Sequence, residues 1–137
     1  MQDTKLRASG NLSISRSVNT GREEDDVNIR DEKEMEVVLG DILPDNDLIA
    51  ETSTSVGLKL SGHEYYGKGT WDRIPYDVHV VCSFKIPCKP DVQSMLKANA
   101  LVRELAQDRA KEAAGQAMAE HIIDIRTRLF RGLFDNG

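Results

Sequence analysis

From Tyr76 to Cys88 the residues fall into two alternating sets. Val78, Val80, Cys82, Phe84 and Ile86 share one parity, and His79, Val81, Ser83 and Lys85 share the other. Successive side chains of a strand point to opposite faces, so period two over this length predicts a strand with one buried face in an antiparallel sheet. Pro87 and Pro90 end it, because proline cannot donate to a ladder. Pro90 also suits a first helical position, and Asp91 beside it complements the positive end of a helix dipole. Beyond Asp91 there is no proline, and good helix formers dominate to the end of the chain. A long half-buried strand leading into a long helix commits the chain to a sheet with helix packed on it.

The apolar residues of that helix do not keep to one stripe. At about 100° per residue, Val92, Met95, Val102, Ala106, Ala110, Ala113 and Ala117 form one line, while Met118, Ile122, Ile125, Leu129 and Leu133 form another, rotated from it. The change falls near Gly115, which predicts a bend or break there and two helices in place of one rod. The first stripe is alanine-rich and lets a neighbour come close. The second is bulkier, and Ile123, Phe130 and Phe134 widen it, which suits packing against a second chain as well as the sheet. Asn99 and Arg109 intrude on the first stripe. Asn99 could set register between packed helices, and Arg109 could pair across a subunit interface or reach a bound anion.

Upstream, Leu6, Ala8, Leu12, Ile14 and Val18 alternate with Arg7, Ser9, Ser13, Ser15 and Ser17, which predicts a first strand. Arg16 shares the apolar parity, so that end is expected at the sheet margin, and Gly10-Asn11 suggests a bulge or turn inside it. Thr54, Val56, Leu58 and Leu60 define another strand. The apolar patch Val37–Leu43 fits a short strand or one helical turn. Strands first and helices last give an α+β fold: an antiparallel sheet of three or four strands, packed on one face by two C-terminal helices or one bent helix. The 137 residues make a single domain, 1–137, with an acidic insertion at 22–47. That insertion holds eleven acids and three bases, a local balance of −8 against −5 for the whole chain, so the remaining body is mildly basic. A solvated loop is its plainest reading; a strip that docks a basic partner or mimics nucleic acid is the other.

Two cysteines are too few for a disulfide framework, the N-terminus is polar, and no apolar run approaches a membrane span. A cytoplasmic protein without membrane contact is expected. No Cys-x-x-Cys, His-x-x-x-His or P-loop spacing occurs, and the parity of His79 and Cys82 opposes a nucleophilic pair. The expectation is a non-enzyme with no cofactor, no metal and no catalytic residues. His121, beside Ile122 and Ile125, reads as a packed, hydrogen-bonded side chain. The best candidate site is the segment between the last two strands. There Tyr65, Tyr66 and Trp71 offer stacking surfaces, Lys68 and Arg73 offer charge, and Gly67 and Gly69 offer close backbone approach. The competing reading folds those rings back to close the core. The outward parity of the strands adds Lys59, His79 and Lys85, with Arg16 joining from the margin.

The run Ser13-Ile14-Ser15-Arg16-Ser17-Val18-Asn19-Thr20-Gly21, followed by an alternating strand, a Cys-Lys-Pro-Asp corner and a charged helix, resembles small, largely uncharacterised phage-encoded proteins. In these a Ser/Thr-rich strand opens a compact sheet and a helix closes it. The likeness covers about half the chain, and the acidic insertion departs from it. It implies a phage origin, hence the cytoplasm of a host cell, and a small α+β fold; it carries over no active residues. Together these features suggest a non-catalytic homo-oligomer, joined through its C-terminal helices, that binds single-stranded nucleic acid through Tyr65, Tyr66, Lys68, Trp71, Arg73, Arg16, Lys85 and Arg109. The alternatives are a sponge for a small (cyclic) nucleotide defence signal and a structural or inhibitory subunit with an acidic docking segment.

Overall fold

Alternating sequence becomes four long strands: β1 (Lys5–Val18), β2 (Val27–Asp41), β3 (Ala50–Tyr65) and β4 (Arg73–Cys88), followed by a single helix, α1 (Val92–Asp135). The computed structural model describes residues 5–18, 27–41, 48–65 and 73–135, and the side chains of 5–18, 28–40, 48–62 and 75–123. The strands form one antiparallel sheet in the order β2-β1-β4-β3, with β4 and β1 central and β2 and β3 at the edges. The sheet and its helix make the expected α+β fold, with four strands and one helix.

Burial follows the alternation of β4 residue by residue. Val78, Val80, Cys82, Phe84 and Ile86 are at most 1 % exposed, whereas His79 and Lys85 are open to solvent. The helix packs on this face over β3 and β4, touches β1, and does not come near β2. It presents Val102, Ala106, Ala110, Ala114 and Ala117, all buried. Methyl-sized side chains let the helix settle close to the sheet, and that closeness determines how the large rings of β4 can lie. Phe84 stands directly across from Gly10 on β1, and Tyr76 across from Gly62 on β3. A Cβ at Gly10 would lie 2.6 Å from Phe84 Cδ1, and one at Gly62 would lie 2.6 Å from Tyr76 Oη. Each ring lies over a residue with no side chain, in the space a Cβ would need.

Four expectations are corrected. The acidic stretch is largely not a loop, since Val27–Asp41 is a continuous edge strand that also absorbs most of the apolar patch. Its charges are compatible with a strand because Glu32, Glu34 and Glu36 share the open face, and Asp31 and Lys33 on the other face are exposed where the helix does not reach, leaving Met35, Val37 and Leu39 half-buried. The irregularity of β1 is not at Gly10-Asn11 but at Leu6/Arg7; Gly10 is in regular strand and makes room for Phe84. The helix does not break at Gly115. That residue is exposed, with nothing within 4 Å of an added Cβ, so the backbone ladder continues through it and the core-facing residues on either side remain in line. Val92 is 73 % exposed, so the first turn lies outside the core that the stripe predicted for it.

Asp91 caps the helix. The Ser94 amide donates to its Oδ1 and the Ser94 hydroxyl to its Oδ2, both at 2.8 Å. These two hydrogen bonds hold its carboxyl below the ordinary carboxylate range. Asn99 ties the helix to the sheet rather than to another helix: its Nδ2 donates to Thr52 Oγ1 at 3.0 Å and to the Ser53 carbonyl at 3.2 Å. At the other end His121, 3 % exposed, is packed and hydrogen-bonded as its position implied. Its Nε2 lies 3.1 Å from the Ser17 carbonyl and must carry the proton, since a carbonyl only accepts. Its ring meets Tyr76 edge-on at 5.8 Å.

Candidate functional site

The sheet face turned away from α1 is covered by no described element, so its side chains are those available to a partner. Antiparallel register arranges them in rows across the strands, each row running β2, β1, β4, β3. One row is Arg30, Ser15, His79 and Lys59; the next are Glu32, Ser13, Val81 and Gly57, then Glu34, Asn11, Ser83 and Ser55, then Glu36, Ser9, Lys85 and Ser53. Small hydroxyl and amide side chains fill most of the face. The glutamates Glu32, Glu34 and Glu36 stand on β2 and the lysines on β4 and β3, with Asp77 on β4 and Glu51 on β3 as further acids of the same face.

Directly opposed residues lie about 5 Å apart, so the first row is a line of Arg30, His79 and Lys59 with a serine hydroxyl in its midst. Arg30 is held in place by Glu32 at 3.0 Å and donates through Nε to Ser13 Oγ at 3.2 Å. Beside His79 the face is hollow, because Gly57 has no side chain and a Cβ there would meet only His79 Nε2, at 3.7 Å. At the other end a trough of about 640 Å³ lies among Ser9, Asn11, Glu34, Glu36, Ser53, Ser83 and Lys85. Arg7 pairs with Glu36, so of the three glutamates in the acidic line two are matched by arginines.

The proposed site residues divide by location. Lys85 is on the open face, as its parity required. Arg16 is not: it is paired in register with Val78, on the helix side, where it binds Glu120 at 3.1 Å and its Nε is buried. Its parity was the informative signal, and the helix reaches far enough along β1 to take it. Arg109 is also on the helix side, 3.8 Å from Glu112 and close enough to Cys82 to act on its thiol. Tyr65 and Arg73 pair at the end of the β3–β4 hairpin, with their side chains outside the described set. Tyr66, Lys68 and Trp71 lie outside the described residues. Arg30 was missed because the acidic stretch was read as a loop. The alternation of Glu32, Glu34 and Glu36 against Met35, Val37 and Leu39 was the signal that could have found it.

Burial pushes the Cys82 thiol up, and the nearby Arg109 guanidinium only partly opposes this. A thiol so held is a core group rather than a nucleophile, and His79 is on the opposite face from it. Among the described residues no group of three or more His, Cys, Asp or Glu side chains could hold a metal ion, and no helix is long and apolar enough to cross a membrane. Comparison with protein-family models, with curated proteins and with solved structures finds no match to this chain.

Proposed function

We propose that this protein is a non-catalytic binding protein that takes a single-stranded nucleic acid across its open sheet face. The observation that carries this reading is the row Arg30, Ser15, His79, Lys59, two cations flanking a ring and a hydroxyl on a surface no described element covers. Arg30 and Lys59 are three strand spacings apart, about 14 Å at the backbone. With Arg30 tied to Glu32 and Ser13, that separation suits an anion that carries phosphates at more than one position. His79 gives a base a ring to stack on, and the hollow at Gly57 leaves room beside it. Glu32, Glu34 and Glu36 line one side of the track and would repel the second strand of a duplex.

Few cations mean weak, sequence-tolerant binding, in the range of about 10⁻⁴–10⁻⁶ M typical of non-specific contacts. The test is fluorescence anisotropy with a labelled single-stranded oligonucleotide over a salt series. Two or three phosphate contacts give a slope of log K against log[salt] of about −1.4 to −2.1, and Lys59→Ala should flatten it by about 0.7. No binding at low salt, or binding indifferent to Lys59→Ala and His79→Ala, would overturn the reading.

The trough at Lys85 favours a second reading, a small nucleotide. Its volume is within the range of small-ligand sites, with Lys85 for a phosphate, four neutral polar side chains, and Glu34 and Glu36 on the β2 side to accept from a base or sugar. Calorimetric titration with a nucleotide panel separates the two. Saturable binding of one nucleotide, abolished by Lys85→Ala and untouched by Lys59→Ala, selects the trough.

A further inference from the structure

The two edges of this sheet are built differently. The β2 edge is guarded: charges recur along it from Arg30 to Glu36, its pairing with β1 slips at Leu6/Arg7, and Gly40 adopts φ 133°. These are the devices by which sheets discourage further strands. From Ala50 to Gly62, β3 has none of them. It has no proline, no residue with positive φ and no slip in register, and its only charges are Glu51 and Lys59. A long regular edge of this kind is a template for another strand.

We propose that the strand is β3 of a second copy, added antiparallel about a twofold axis through Ser55. Charge selects this register. Glu51 and Lys59 are on the same face, eight positions apart, so centring on Ser55 places each Glu51 opposite Lys59 of the other copy, twice per dimer. Centring on Glu51 or Lys59 would instead set like charges opposite each other, which is unfavourable. On the helix side the same register sets Thr54 opposite Val56 and Thr52 opposite Leu58, pairs suited to strands. The Ser53 carbonyl already accepts from Asn99, and its second lone pair remains for the new ladder.

The helix supplies an independent check. It starts over β3, where Asn99 bonds Thr52 and Ser53, and ends over β1, where Glu120 and His121 meet Arg16 and Ser17. A twofold axis just outside β3 therefore brings the N-terminal halves of the two helices side by side above the joined edges. The flank they would share, opposite the Glu120 side, carries Leu96, 65 % exposed, and the small, exposed Ala100. The product is an eight-stranded sheet with two adjacent helices on one face.

This inference does not rest on nucleic-acid binding and is tested without it. Light scattering of the full chain should give twice the 15.3 kDa mass of one chain. Glu51→Lys alone and Lys59→Glu alone should each raise the dimer dissociation constant about tenfold or more, because each change turns two attractions into two repulsions. The double variant Glu51→Lys/Lys59→Glu should restore the dimer. Both residues are solvent-exposed, and circular dichroism will verify that the variants fold. A monomeric wild type at about 100 μM, single variants that dimerise as tightly as wild type, or a double variant that stays monomeric would each overturn it.

Discussion

Gly10→Ala tests the way the rings of β4 are housed. The added Cβ would fall 2.6 and 2.8 Å from Cδ1 and Cε1 of Phe84, and closer still to the Ser83 carbonyl oxygen. Carbon atoms in good contact stand about 3.5–4.0 Å apart, so the ring or the strand must move by about 1 Å. Phe84 is 1 % exposed beneath the helix, and Ser83 is paired on both sides, with Asn11 and with Ser55. Overpacking of this sort costs about 1–3 kcal/mol, and a weakened ladder bond adds about 1 kcal/mol. The lower chain entropy of alanine in the unfolded state returns about 0.4–1 kcal/mol. The net expectation is a loss of about 2 kcal/mol, or about 1 M in urea midpoint for a domain of this size.

Urea unfolding followed by circular dichroism measures this loss. In a Phe84→Leu background the same substitution should cost about 1 kcal/mol less, since the two residues are in contact. Gly57→Ala is the control: it is in a strand on the open face, with only His79 Nε2 near its new methyl, and should be neutral or stabilising by about 0.5–1 kcal/mol. A neutral Gly10→Ala, or costs that simply add in the double variant, would refute the account of the ring lying over glycine.

Three further outcomes follow from the geometry. Gly115→Ala should stabilise the protein by about 0.5–1 kcal/mol in thermal unfolding, because the helix is continuous there and its methyl meets nothing; destabilisation would mean that the helix needs a glycine at that turn. Asp91 has its folded pKa lowered, so its contribution is fully present above the unfolded value of about 3.9 and is lost as pH falls through the folded value. Asp91→Ala should lower the Tm at neutral pH and remove that part of the acid dependence, with differential scanning calorimetry as the check. Cys82 has its folded pKa raised, so above the unfolded value of about 8.5 the unfolded chain loses a proton that the folded one keeps, and stability falls as pH rises. Chemical denaturation from pH 7 to 10 should show that decline in wild type and a smaller one in Cys82→Ala.

Most of the fold was legible because it rests on local period. The parity of β4, β1 and β3 predicts which face of each strand turns to the helix, and Arg16, expected among the ligand contacts, follows its apolar parity to that face instead. The β2 strand was obscured by its charge. An edge strand with one open face can alternate acids with methionine and valine, and composition alone does not distinguish that from a loop. Gly115 looked like a break because a rotated apolar stripe and a glycine coincided. Glycine in a helix costs only about 1 kcal/mol, which forty-odd residues of good helix formers packed on a sheet readily exceed. The candidate site was legible only in part. Lys59, His79 and Lys85 announced a shared face, but Arg30 joins their row through pairing between strands that are not neighbours in order.

By itself the chain determined its strands, its helix and which side of each strand is apolar, because these follow from residue-to-residue spacing. It could not determine strand order. The order β2-β1-β4-β3 brings Arg30 into line with Lys59, leaves β3 as an open edge, and keeps the helix off β2. These are properties of long-range pairing, and they depend on which strands meet rather than on what any one of them contains.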